Sequence, residues 1–270
     1  MATVVTNGIR LSYSIQGEGP DVLLVAPIAA PGSYWMMQIP ALVAQGFRTT
    51  TFESRGVPPS EVPPPPYSVQ DLVADVAGLI QALGIAPAFV VGHSFGAIVT
   101  QEVALAHPEL VRAVALLGTL GRKDLTRREL GLRALADLEA GVTPRPSDTA
   151  VRALTMFGHG VLADDEWMRA YFSSVDGAPS PDLVGVLGLQ HASTAYDDRL
   201  GALAELRVPC LVIGFEEDLL VPATLTREAA EAIPGAIYLE IEECGHGGPW
   251  ERPDAINEAI VSFLAAYRPS

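Results

Sequence analysis

The sequence predicts an α/β protein: a parallel sheet with helices on both faces, interrupted by a helical insertion late in the chain. Three observations carry this expectation. Apolar runs alternate with amphipathic helical patterns from residue 21 to about 118, and again from about 208. Several of the runs, such as "DVLLVA" and "PAFVVG", are continuously apolar, as strands buried on both faces are. Between about 120 and 205 the strand signal stops and helical patterns such as "RRELGLRALADLEAG" continue.

Taken in order, residues 2–26 read as three strands. "TVV" and "IRLSYSI" flank Asn7-Gly8, a pair that tolerates the positive φ of a tight hairpin, and "DVLLVA" follows. "FRTTTFE" is a strand rich in β-branched residues. "VPPSEVPPPPYSV" is too proline-rich for a helix or an inner strand and reads as a stiff surface loop or the wall of a binding site. Ser68 caps the next helix with Asp71 three residues on, and Leu72, Val73, Val76, Leu79, Ile80 and Leu83 form its apolar face. "PAFVVG", "FGAIVTQEVALAHP" and "VRAVALLG" read as strand, helix and strand. After the insertion, "VPCLVIGF", "ATLTREAAEAI", "AIYLEIEE" and "RPDAINEAIVSFLAAY" restore the alternation. The simplest division is a core of residues 1–119 and 206–270, with residues 120–205 as a helical lid over the strand ends.

The 270 residues are 49% hydrophobic, enough for a large core, and carry a net charge of −15. That charge repels phosphate backbones and anionic membranes, so nucleic acid and membrane insertion are set aside as partners. "MATVVTNGIR" has no charged n-region leading into an apolar core, and the run near "VLLVAPIAAP" falls far short of the roughly 20 residues that span a bilayer. The two cysteines, Cys210 and Cys244, form neither a disulfide framework nor a metal-ligand pattern and are read as free thiols of a cytoplasmic protein. Nothing in the sequence specifies an oligomeric state.

Gly92-His93-Ser94-Phe95-Gly96 places a serine between an apolar strand and a helix. Such a sharp turn forces crowded backbone angles, needs small residues two before and two after the serine, and exposes its hydroxyl at the carboxyl edge of the sheet. A serine hydroxyl needs a base, and the base an orienting acid. Of the five histidines, His246 alone lies in a glycine-rich loop directly after the last strand, "EECGHGGPWERP". His93 is expected to point away from the site. The loop after the preceding strand, "CLVIGFEEDLLVP", offers Glu216, Glu217 and Asp218. Asp218 has the best spacing and the shortest reach, with Glu217 second. Ser94, Asp218 and His246 are therefore the candidate triad.

These residues and their chain order resemble the α/β-hydrolase superfamily over essentially the whole chain. "GHSFG", "GFEEDLLVP" and "CGHGGPWERP" each sit at a strand end, and the sequence looks most like the lid-bearing esterase, haloperoxidase-like and C–C hydrolase group. The resemblance implies a three-layer αβα sandwich with an eight-stranded, mostly parallel sheet, the lid inserted after strand 6, and an acyl-enzyme mechanism with no metal or cofactor. It also implies an oxyanion hole from the backbone N–H groups of Phe95 and, by spacing from Trp35, Ile28. Two departures stand out. Ala26-Pro27 occupies the place of the usual His-Gly, and "FESRGVPPS" replaces Asp-x-Arg-Gly-x-Gly-x-Ser, with Glu53 for the aspartate and Pro58 for the second glycine. Arg55 is read as a structural ion-pair partner.

Tyr34, Trp35, Trp250 and His191 are candidate substrate contacts, with a small hydrophobic molecule as the substrate. The expected function is hydrolysis of an ester, thioester or related carbonyl compound. Alternatives are acyl transfer, C–C cleavage or cyclisation in a secondary-metabolite pathway, a non-catalytic ligand receptor, and metal-free perhydrolysis.

Overall fold

A computed structural model describes residues 1–143 and 145–269. The chain begins with a hairpin of β1 (Ala2–Thr6) and β2 (Ile9–Gln16). Asn7 and Gly8 turn it with φ of 46° and 76°, the left-handed pair a two-residue hairpin needs. β3 (Asp21–Val25) follows, then a 3-10 turn at Gly32–Trp35, α1 (Ile39–Ala44) and β4 (Arg48–Phe52). Next come α2 (Val69–Ala82), β5 (Ala88–His93), α3 (Phe95–Ala106) and β6 (Val111–Leu117). Ser68 and Asp71 form the expected capping box: each backbone N–H donates to the other's side chain, at 2.9 and 3.1 Å.

The helical insert comprises α4 (Leu125–Glu139), α5 (Pro146–Met156), α6 (His159–Leu162), α7 (Asp165–Asp176), α8 (Leu183–Ala195) and α9 (Leu200–Leu203). β7 (Cys210–Phe215), α10 (Ala223–Ala232), β8 (Ile237–Ile241), α11 (Gly248–Glu251) and α12 (Pro253–Ala266) complete the chain.

The eight strands form one sheet in the order β1-β2-β4-β3-β5-β6-β7-β8. β1, β2 and β4 pair antiparallel, and every pairing from β4 through β8 is parallel. Alternation along the strands divides the core between two faces. Leu23, Val25 and Val90 join the cluster under α2, α3 and α10, whereas Val22, Leu24, Phe89 and Val91 join that under α1 and α12. This is an α/β sandwich of three layers with a helical insert after β6. Among the described residues no helix is long and apolar enough to cross a membrane.

The insert is seated by backbone approach. A Cβ on Gly185 of α8 would lie 1.8 Å from the Gly56 carbonyl, and one on Gly188 would lie 2.4 Å from the Tyr67 ring. α8 thus meets the Gly56 backbone directly and lies against the Tyr67 ring of the proline-rich stretch, and α4 packs on α8.

Candidate active site

The site forms where β3, β5, β7 and β8 end on the same edge of the sheet. β5 stops at His93, and Ser94 turns the chain into α3 with φ 56° and ψ −122°, angles that L-residues rarely hold. The flanking glycines are required by contact. A Cβ on Gly92 would lie 2.4 Å from the Gly96 carbonyl, and one on Gly96 would lie 2.3 Å from the Val25 carbonyl. The second contact also fixes how closely the loop after β3 approaches the turn. Ser94 itself stays partly exposed.

His246 Nε2 lies 2.9 Å from Ser94 Oγ, and His246 Nδ1 lies 2.6 Å from Asp218 Oδ2. The other Asp218 oxygen accepts the Leu220 and Val221 N–H groups at 2.8 and 2.7 Å, so the carboxylate is fixed by its own loop. The Asp218 side chain is fully buried and that of His246 nearly so. With Nδ1–H donating to Asp218, Nε2 is left as an acceptor facing the serine hydroxyl. The two other carboxylates of the loop are engaged elsewhere. Glu217 accepts the His159 N–H, and Glu216 accepts the Glu243 N–H at 2.8 Å.

His93 corrects the sequence reading. Its ring does not point away but lies beneath His246, with centroids 4.8 Å apart. Its Nδ1 bonds the Tyr34 hydroxyl at 2.8 Å. Burial, and after it the neighbouring His246, hold the His93 imidazole well below its usual range, so it stays neutral. Burial likewise pushes the Tyr34 phenol well up.

The remaining candidates divide. Ile28 is partly buried in a turn closed by the Ala30 N–H on the Pro27 carbonyl at 3.1 Å, with Ala29 at φ 54°. Gly32 at the end of that loop donates its N–H to buried Glu53 at 2.9 Å. Among the described residues, neither Ile28 nor Phe95 donates its N–H to a protein backbone acceptor outside the regular elements. Tyr34 is buried, and Trp250 donates its indole N–H to the Tyr34 carbonyl at 2.9 Å, so both brace the wall behind the histidines. Trp35 is fully buried in the core cluster under α1 and offers no surface to a ligand. His191 on α8 faces Glu139 of α4 at 3.6 Å, a partner within the insert. Arg55 makes the expected structural pair, with Nε and Nη2 on Asp75 at 2.6 and 2.7 Å.

A cavity of about 10 Å³, the room of one water, lies beside the turn between Pro27, Ile28, Phe95, Val99 and Leu189. Val99 and Leu189 were not singled out in the sequence, because residues of a buried helical face carry no mark of which cavity they meet. Among the described residues, no group of three His, Cys, Asp or Glu side chains is placed to hold a metal.

A three-layer sandwich with a serine on a strained strand–helix turn and a buried carboxylate–imidazole pair facing it defines an α/β-hydrolase architecture. The chain belongs to the alpha/beta hydrolase fold family, which it matches over residues 22–253. It is similar to BpoC of Mycobacterium tuberculosis, a proposed non-heme bromoperoxidase, with 37% identity over 96% of this chain and 99% of that one. The crystal structure of BpoC superposes with a TM-score of 0.90, covering 96% of this chain and 97% of that chain. A proposed carbamate hydrolase, RutD of Azorhizobium caulinodans, is 30% identical over 94% of each chain. The enol-lactonase of Burkholderia xenovorans LB400 is 28% identical, with a TM-score of 0.88 over 98% of this chain and all of that one.

Proposed function

We propose that this protein is a serine hydrolase that cleaves an ester, thioester or related carbonyl bond of a small hydrophobic molecule. The observation that carries the reading is the unbroken hydrogen-bond chain from Asp218 through His246 to Ser94. Membership of a hydrolase family and the similarity to a carbamate hydrolase and a lactonase support the same class of chemistry.

In this mechanism Ser94 Oγ attacks the substrate carbonyl carbon as its proton passes to His246 Nε2. Asp218 stabilises the imidazolium. The oxyanion is held by the N–H of Phe95, at the positive end of α3, and by that of Ile28. His246 then protonates the leaving group, and a water activated by the same nitrogen releases the acyl group. Pro27 lacks an N–H but precedes the proposed donor, so the substitution of Ala26-Pro27 for His-Gly does not remove the Ile28 N–H. Residues 120–205 act as the lid over this edge.

The similarity to BpoC favours one further reading, in which hydrogen peroxide replaces water and leaves with the acyl group as a peracid. A turnover screen across acyl length and leaving group, including lactones and with peroxide present or absent, tests both readings. The expected result is carbonyl-substrate cleavage that disappears in Ser94→Ala while the fold is retained. Full activity in that variant overturns the assignment.

A further inference from the structure

We propose that Glu251 is a positioning residue that ties the insert to the loop carrying His246, and that Glu217 does the same for the loop carrying Asp218. The proposal rests on the reading of Ser94, His246 and Asp218 as a working triad.

Glu251 Oε2 accepts two backbone N–H groups from segments far apart in sequence. One is Gly158 of the insert at 2.8 Å, and the other is Gly245, the residue before His246, at 3.2 Å. A direct bond runs beside this bridge, from the Gly247 N–H to the Met156 carbonyl at 2.7 Å. His246 is therefore bracketed on both sides by bonds that lead to the insert. Glu217, next to Asp218, accepts the following N–H of the insert, that of His159, at 2.6 Å, and meets the His159 ring nitrogen at 2.9 Å.

The contact leaves no room for side chains. A Cβ on Gly245 would lie 2.5 Å from the Gly158 nitrogen, and one on Gly247 would lie 2.5 Å from the Phe157 ring. Phe157 is buried and packs edge-on against Trp167 and Tyr171, with centroids at 4.7 and 4.8 Å. The stitched segment is thus rooted in the insert's own aromatic cluster. Glycines and carboxylates divide the work: the glycines admit close backbone approach, and the carboxylates bind the N–H groups that this approach leaves without carbonyl partners.

The consequence is geometric. The base must stay within hydrogen-bond reach of Ser94, and displacement by about 1 Å costs on the order of 100-fold in rate. Glu251 holds the backbone on which that reach depends. Asp218, Arg252, Cys244 and Tyr34 are titratable or charged groups around it, and Glu217 approaches the same Gly158. Burial pushes the Glu251 carboxyl up, and its bonds to Gly158 and Gly245 pull it back.

The test measures the rate at which a fluorophosphonate labels Ser94 across pH, in the wild type, Glu251→Gln, Glu251→Ala and Ser94→Ala. With the wild type labelled and Ser94→Ala not, Glu251→Gln is expected to label about 10- to 100-fold more slowly. Glu251→Ala is expected to be slower still, so that the conservative variant rescues part of the rate. A Glu251→Gln profile that overlays the wild type overturns the proposal and leaves the triad standing. A folded wild type that is not labelled overturns the triad reading itself, and this proposal with it. Should Glu251→Gln fail to fold, hydrogen exchange in the wild type reads the same contact. The Gly158 and Gly245 amides are expected to lose protection together on acidification, before global exchange begins. Independent exchange of the two overturns the proposal.

Discussion

His93 lies directly under His246, with ring centroids 4.8 Å apart and planes at 39°. Because burial and the neighbouring imidazole depress its pKa, the folded state resists protonating His93, while the unfolded chain takes up that proton near its ordinary pKa of about 6.5. The unfolded state then binds more protons, so stability falls as pH drops below about 6.5 toward the depressed value. His93→Asn, which removes the titration, is expected to be less stable than the wild type at pH 7.5, with the gap narrowing at pH 5. Chemical denaturation at the two pH values measures this. An equal gap at both would exclude His93 as the source.

Gly96 faces the Val25 and Ala26 carbonyls, and a Cβ there would lie 2.3 and 2.4 Å from them. These are backbone atoms of the last residue of β3 and of the residue after it, which cannot rotate away as a side chain does. Gly96→Ala is expected to cost at least the 1–3 kcal/mol, roughly, of an overpacked core. Because the displaced loop carries Ile28, serine labelling should slow by more than the loss of folded protein explains. Denaturant titration and labelling rate on the same sample separate the two effects.

The turn and the alternation of strands and helices were legible because each rests on local rules, and the placing of Ser94, Asp218 and His246 at strand ends anticipated that they meet. Gly92 and Gly96 mark a turn that admits no Cβ, and continuous apolar runs mark strands covered on both faces. The site walls were not legible. Trp35 reads as an aromatic near the site, yet it is fully buried with Tyr34 in the core cluster under α1 and α12, and a residue's depth in a core is not written in its type. His93 could not be placed from its motif, since its direction depends on the Tyr34 hydroxyl, distant in sequence. α1 is six residues long with a proline near its start, too short for a periodic pattern to identify. Glu251 looks like any charged residue after a glycine-rich loop until Gly158 is brought beside it.

Tyr196, at the end of α8, accepts the Gln101 side-chain N–H at 2.5 Å and donates to Glu102 at 3.2 Å, and Arg199 pairs with Glu102 at 2.8 Å. This buried group anchors the end of the insert to α3. Tyr196→Phe is expected to destabilise the protein by about 1–2 kcal/mol, near the net worth of the hydrogen bonds lost. A shift of the denaturation midpoint at unchanged slope is the readout.

His159 is exposed, and Glu217 raises its pKa while His159 lowers that of Glu217. The ion pair therefore holds between the lowered Glu217 value and the raised His159 value. Its contribution is complete below about pH 6.5 on the histidine side, is lost as pH rises through the raised value, and is lost again in acid as Glu217 protonates. Hydrogen exchange over residues 156–163 should quicken above neutral pH in the wild type. The same segment in His159→Ala should show no such step.

The central claim is that Ser94 is a nucleophile activated by His246. Intact-mass analysis after fluorophosphonate treatment, with peptide mapping of the adduct, tests it most directly. The expected result is one adduct per chain, located on Ser94, absent from Ser94→Ala and strongly slowed in His246→Ala. An unmodified, folded wild-type chain, or an adduct on another residue, would contradict it.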